Sequence, residues 1–361
     1  MSIASPHAAR LRAVRSLLPA HEAEACLLTA THDLRWAVGF TGSNGLLVLD
    51  RHQATFLTDG RYEEQAQHEV HEARIVVVQG DLIAHAMDQG MLPEGAQAVV
   101  QGDHLTVAAW KRMHERAPGV RFVPVSGLVA PLVAAKTPGE IECVRAAQAV
   151  TDAVFEEIVT LIQPGMTERE LAAEITYGHL RRGASAMSFD PIVASGPNSA
   201  LPHARPTDRA FEQDDVILID MGAYVDGYSS DMTRTVVLGS ASADVQAVYE
   251  AVHLANESAI GAARAGMSGK ALDTVARDVL NQAGYEAFFT HSLGHGVGLQ
   301  VHEWPRLSQQ VEHTLPAGAT VTIEPGVYLP GRFGVRIEDI VALRDDGCDT
   351  LTASPKALLE L

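Results

Sequence analysis

A chain of 361 residues, 47% of them apolar, is long enough for two domains with separate cores. Its 45 acidic residues against 27 basic ones leave a formal net charge of −18, which argues against nucleic acid and anionic membrane as partners, since both attract basic surfaces. Cys26, Cys143 and Cys348 lie far apart without a C-x-x-C spacing, so neither a disulfide framework nor a thiolate zinc site is indicated, and a reducing, cytoplasmic compartment fits.

Near the start, Leu11, Val14, Leu17 and Leu18 recur at helical spacing beside Arg10, Arg12 and Arg15, the pattern of an amphipathic helix rather than of an export signal. The best apolar run, GLVAPLVAA, is broken by Pro131 and falls far short of the roughly 20 residues a membrane span needs, so a soluble protein is expected. Strand-like runs at Gly45 to Asp50 and Ala73 to Val78 flank the helix-like Arg61 to Val70, which predicts an α/β domain with a partly parallel sheet over residues 1–134. A boundary between Ala134 and Pro138 opens a second domain, residues 135–361, dominated at first by long helices.

Within that second domain, Pro164 to Ala184 resembles Ala265 to Tyr285. Gly165-Met166-Thr167 matches Gly266-Met267-Ser268, and the segments close on Gly183 and Gly284. Two unrelated helices with good caps could look alike, but a duplicated helix-and-strand unit accounts for more of the match and predicts pseudo-two-fold symmetry with a cleft between the halves.

HSLGHGVGLQVHEW, His291 to Trp304, carries three histidines. Gly294, Gly296 and Gly298 would each cost about 1 kcal/mol inside a helix, so an extended segment closely approached by another backbone or a ligand is expected, with His291 and His295 on one face. Acidic partners are at hand. Val216 to Leu238 reads as a hairpin turning at Asp226-Gly227, a register that sets Asp220 opposite Thr233 and Asp231 diagonally beside it. Glu324 ends an apolar strand and Glu338 lies in the next one; same-face placement needs an odd-length loop or a bulge between them. Taken singly, each carboxylate reads as a cap or an exposed ion pair. Asp220 and Glu324, however, follow apolar runs where an unpaired carboxylate would cost several kcal/mol. Four carboxylates and an imidazole suit two divalent cations, and oxygen-rich ligation leans towards manganese, with cobalt, iron and zinc as alternatives.

The motifs at Asp220 to Arg234, His291 to Glu303, Glu324 to Gly326 and Arg336 to Asp339 resemble those of the pita-bread metallopeptidases, and among them the Xaa-Pro peptidases, prolidase and aminopeptidase P. Thr41 to Gly45 and Thr58 to Tyr62 are similar to the creatinase-like N-terminal domain of those enzymes, so the likeness spans the chain. It implies an α/β N-terminal domain that supports a homodimer or higher homo-oligomer, followed by an α+β pita-bread catalytic domain. It also implies Asp220, Asp231, His295, Glu324 and Glu338 as ligands of two divalent metal ions, with Asp231 and Glu338 bridging. The complete ligand set speaks against the metal-free creatinase branch.

The expected reaction is hydrolysis of the bond between an N-terminal residue and a following proline, with Glu324 as general base and then acid. His203 and His302 are expected as hydrogen-bond donors to the substrate, and His291 as an orienting residue. Arg336 is expected either to hold Glu338 and Asp339 or to bind the substrate's carboxylate, with the first preferred. Two other readings stay open: an aminopeptidase of different specificity on the same site, and a binding module without turnover.

Overall fold

A computed structural model describes residues 5–361, which fall into two compact units that meet in sequence between Val133 and Ala134. The first holds a six-stranded mixed sheet in the order Arg74–Val78, Ala54–Asp59, Gly45–Asp50, Ala25–Leu28, Gln97–Gln101, Arg121–Val125. Its three central-edge pairings to Gln97–Gln101 and Arg74–Val78 are parallel and the two around Gly45–Asp50 antiparallel, which is the partly parallel α/β arrangement expected. Helix Pro6–Arg15 buries Leu11 and Val14, as their spacing predicts. The helix expected from Arg61 opens as a 3-10 turn, Gly60–Tyr62, because Asp59 accepts a hydrogen bond from the Arg61 amide, and becomes α-helical only over Glu63–Glu69.

The second unit opens with helix Pro138–Ile158, whose capping box pairs Thr137 with Glu140. The repeat seen in the sequence is repeated in space. Thr167 caps helix Glu168–Arg181 and forms an isolated antiparallel bridge to Ala210, while Ser268 caps helix Gly269–Gln282 and forms the equivalent bridge to Thr314. The surrounding bonds correspond pair by pair: Gly165 N–H to Phe211 O and Phe211 N–H to Met166 O in one half, Gly266 N–H to Leu315 O and Leu315 N–H to Met267 O in the other.

Each half lays two helices on a sheet. In the first, Val154, Phe155, Leu171 and Ile175 pack on Val193, Ile217 and Ile219; in the second, Val248, Val252, Leu272 and Leu280 pack with Val321, Ile323 and Val341. Each sheet is centred on an antiparallel pair, Asp215–Met221 with Met232–Leu238 and Thr320–Ile323 with Asp339–Arg344. Apolar burial on the helix side leaves the ends of these pairs to carry the polar groups. No helix among the described residues is long and apolar enough to cross a membrane.

The glycines of the histidine segment do what their spacing suggests. A Cβ on Gly294 would run into the carbonyl oxygen of Thr322, and one on Gly296 into that of Trp304, so two backbones press on strand Gly294–Gly296 from either side. Since a backbone carbonyl cannot rotate away as a side chain would, Gly294→Ala should destabilise the protein by about 1–3 kcal/mol. A thermal melt indistinguishable from wild type would show that the strand has room to move.

Candidate metal centre

Both hairpins aim carboxylates at one point. In the first, the turn at Asp226-Gly227 takes positive φ at both residues, 45° and 73°, and Asp220 pairs with Thr233 across the ladder, as the turn predicts. Asp231 lies just before the second strand. In the second, the ladders on either side of Glu324 and Glu338 share one register, Ile323 with Asp339 and Gly326 with Arg336, which sets the two glutamates opposite each other. The odd-length loop that this requires is present, since Leu329 pairs with Phe333 around three residues. Each half thus contributes one carboxylate at the end of its first central strand and one at the start of its second.

His295 meets them from the strand between. Its Nδ1 lies 3.0 Å from the Gly296 carbonyl oxygen, which can only accept, so Nδ1 carries the proton and Nε2 presents a lone pair. Burial above all pushes this imidazole down to about 3, leaving it neutral. Nε2 stands 3.4 Å from Glu324 Oε1 and 3.6 Å from Asp231 Oδ2, an arrangement of lone pairs facing lone pairs that a cation would reconcile. Ligand atoms of Asp231, His295 and Glu338 all lie within 4.8 Å of one another.

The carboxylates themselves are short of partners. Burial raises all four, Asp231 and Glu338 well above the ordinary range, with their mutual repulsion adding to it, and Glu324 to about 7. Asp220 Oδ1 is buried without a hydrogen-bond partner among the described residues. The donor set, the orphaned oxygen and the surplus negative charge all fit divalent cations held by Asp220, Asp231, His295, Glu324 and Glu338.

Arg336 is buried here, and its contacts differ from those expected. It pairs with Asp220 at 2.7 Å, not with Glu338 or Asp339, and reaches Glu338 only through Thr233, which accepts from Arg336 Nε at 2.9 Å and donates to Glu338 Oε2 at 2.7 Å. Asp339 belongs instead to Arg234 and Lys356, at 2.8 and 3.1 Å. The remaining guanidinium nitrogen of Arg336 donates to Tyr328 Oη and the Pro202 carbonyl, so four of its five N–H groups are engaged within the protein.

The other three histidines divide. His291 donates from Nδ1 to the Ser292 carbonyl and accepts from Tyr328 Oη at Nε2, 2.9 Å away, so both nitrogens are committed. His302 stands edge-on to His295 with ring centroids 4.4 Å apart, outside any strand, in a turn that Glu303 closes by accepting from the Gln300 amide. The expected single extended segment is therefore interrupted after Gly296, because a turn is needed to bring His302 back over His295. His203 is exposed on the wall of a cavity of about 470 Å³ that these residues line together with Phe189, Pro202 and Arg306. Sequence reasoning gave no role to Tyr328 or Arg234. Tyr328 stands four residues after Glu324, and that even spacing along the strand was the available signal.

A family model described as Metallopeptidase family M24 matches residues 142–345, more than half of the chain, and one for the Creatinase/Prolidase N-terminal domain matches residues 10–132. The chain belongs to metallopeptidase family M24. This M24 chain is 40% identical to a Xaa-Pro dipeptidase of Pyrococcus furiosus over 71% of its length and 73% of that protein's. Among solved structures it is similar to a Xaa-Pro dipeptidase from Bacillus anthracis (TM-score 0.95, 37% identity, 98% of this chain and 100% of that one). It is also similar to an X-Pro aminopeptidase from Thermotoga maritima (TM-score 0.87, 36% identity, 94% and 98%). It is a hydrolase, its family implies divalent metal ions, and its creatinase-like and pita-bread architecture is that of its relatives.

In metal-free protein the folded carboxyls hold protons more tightly than they do in the unfolded chain. Taking Glu324, moved from 4.5 to about 7, protonation favours the fold fully below about pH 4.5, and that contribution is lost as pH rises through about 7. The melting-temperature gap between metal-loaded and chelator-stripped protein should therefore widen between about pH 5 and about pH 7.5. A gap independent of pH would mean that the carboxylates are not what the metal neutralises.

Proposed function

We propose that this chain is a Xaa-Pro peptidase, hydrolysing the bond between an N-terminal residue and a following proline, with Asp220, Asp231, His295, Glu324 and Glu338 holding two divalent ions. The observation that carries it is the convergence of four carboxylates, three of them buried and one partly so, and one neutral imidazole in a single cavity. The names of the similar proteins supply the Xaa-Pro specificity. The ions, when bound, offset the carboxylate charge and bring the pKa of water towards 7.

The chain's own groups do the rest. Glu324, the most accessible of the four carboxylates, accepts the proton of the attacking water as its oxygen adds to the carbonyl carbon, then gives it to the proline nitrogen as the C–N bond breaks. His203 and His302 donate to the substrate carbonyl and to the oxyanion that it becomes. His302 suits this because its partial burial lowers its pKa and leaves one N–H on a neutral ring. His291, committed at both nitrogens, orients Tyr328 and through it Arg336. The oxygen-rich ligand set favours manganese as the native ion. Three free cysteines fit a cytosolic location, and the N-terminal unit is the candidate for assembly into a homodimer or higher homo-oligomer.

Incubation of chelator-stripped, manganese-reloaded protein with Ala-Pro, Ala-Pro-Ala and Met-Ala-Ser tests the proposal. Manganese-dependent loss of Ala-Pro alone identifies a dipeptidase, and loss of Ala-Pro-Ala as well an aminopeptidase. Cleavage of Met-Ala-Ser alone moves the chain to another specificity, and no cleavage at full metal occupancy leaves a binding module. His302→Ala should lower turnover about 100- to 1000-fold with metal content unchanged. An unaltered rate would remove His302 from the oxyanion role.

A further inference from the structure

His203 has the weakest local support of the site residues. It is exposed, its ring has no hydrogen bond among the described residues, and it stands beyond the 3-10 turn Gly196–Ala200 in the connection between strands Ile192–Ser195 and Asp215–Met221. The segment must nevertheless return to the same place for Pro202 to Pro206 to form a cavity wall.

What closes the segment is a carboxylate from elsewhere. Glu168, fully buried in the first turn of helix Glu168–Arg181, accepts from the Ser195 amide at 2.7 Å and hydroxyl at 2.8 Å through Oε1. Through Oε2 it accepts from the Thr207 amide at 2.9 Å and hydroxyl at 2.6 Å, and the Asn198 amide donates to both oxygens, at 3.1 and 3.3 Å. One side chain thus binds where the segment begins, where it ends and once between. Arg209 supports the first of these from the other side, donating to the Ser195 hydroxyl at 2.6 Å while paired with Asp215. Five donor groups meet the Glu168 carboxylate, so its acceptor capacity is spent on joining the two ends of the segment, alongside the backbone bonds from Glu168 and Arg169 to Arg209 and Thr207 and the Arg336 bond to Pro202.

The repeat marks this position as special to one half. The residue after the cap in the second half is Gly269, where a Cβ would run into the Arg306 carbonyl. The internal duplication therefore does not account for a glutamate here, whereas the His203 segment does.

We infer that Glu168 is a positioning residue for His203, its carboxylate latching residues 195–207 so that the imidazole is held over the metal centre; this rests on the proposed role of His203 in turnover. Glu168→Gln keeps the shape but turns an amide NH2 towards a backbone amide that can only donate, at Ser195 or at Thr207, and replaces the charge-assisted bonds by neutral ones. Exchange of backbone amides over residues 196–206, followed by mass spectrometry, should quicken. kcat/KM for Ala-Pro should fall about 100-fold, the scale of a misplacement of about 1 Å, with manganese content unchanged. The loss should vanish in a His203→Ala background and persist in full on His302→Ala, a pattern that general loosening would not give.

Should Glu168→Gln fail to fold, Thr207→Val removes one of the five donor groups and should cost roughly 10-fold in kcat/KM, about the worth of one hydrogen bond to a charged group. Unchanged exchange and kcat/KM in both variants, or losses that multiply with His203→Ala, would overturn the inference. So would His203→Ala turning over at the wild-type rate. If the wild-type protein cleaves no Xaa-Pro peptide, the proposed function fails, while the exchange measurement still decides whether Glu168 holds the loop.

Discussion

Four carboxylates share one cavity with the buried guanidinium of Arg336, and this excess of negative charge is the constraint that the rest of the catalytic unit serves. Charges of one sign in a low-dielectric site repel strongly, and each also loses its hydration. The fold holds them together by exchanging arginines between the two hairpins. Arg336, from the hairpin that carries Glu324 and Glu338, pairs with Asp220 and bonds Thr233 of the other. Arg234, from the hairpin of Asp220 and Asp231, reaches the Glu338 carbonyl at 2.6 Å and pairs with Asp339. Each hairpin is thus fastened by a cation belonging to its opposite, and neither carboxylate pair can retreat from the other without leaving a buried charge alone. The charge that remains is what a pair of divalent ions would balance.

Duplication makes such convergence attainable with little sequence. Two copies of helix, cap and strand pair, related by a pseudo-two-fold, place the same two strand positions on either side of an axis, and carboxylates at those positions meet there. The backbone on the far side is tied in by Asn256, a fully buried residue of helix Ala243–Ala262, which donates to the Ile323 carbonyl at 2.9 Å and lies 3.4 Å from that of Ile337. These carbonyls immediately precede Glu324 and Glu338. One amide group therefore sets the spacing of two strands just where both hand a glutamate to the site, and Lys356 holds its oxygen at 3.1 Å.

How much of this was legible depends on how far each fact reaches along the chain. The pairing of Asp220 with Thr233 follows from a two-residue turn, because strand geometry propagates register from nearby residues, whereas the facing of Glu324 and Glu338 was legible only as a condition, an odd-length loop or a bulge, which the three-residue loop meets. The repeat was legible through its caps and glycines. The partners of Arg336 were not, since Asp220 and Thr233 lie more than 100 positions away and nothing in an Arg-x-Glu pair says which hairpin the guanidinium faces. The histidine segment was half legible. Its glycines announced the close approach of a backbone or a ligand, but the turn that carries His302 depends on Glu303, whose second oxygen pairs 2.5 Å from Lys136 at the start of the unit. Such a tertiary ion pair leaves no local periodicity to read.

The histidines show how the fold assigns different chemistry to one residue type. In both His291 and His295, Nδ1 donates to a carbonyl of the next residue along the chain, which fixes the tautomer without help from a distant group. What differs is what lies at Nε2. For His291 it is a tyrosine hydroxyl, itself held by Arg336, so the lone pair is spent on structure; for His295 it is a pair of carboxylate oxygens, so the lone pair has no donor to accept and is left for a cation. The two rings begin from the same local bond and are both driven to about 3 by burial, yet one is a strut and the other a candidate ligand. The distinction rests on one residue, Tyr328, and on which strand face it occupies, which is why the spacing of the histidines alone could not have drawn it.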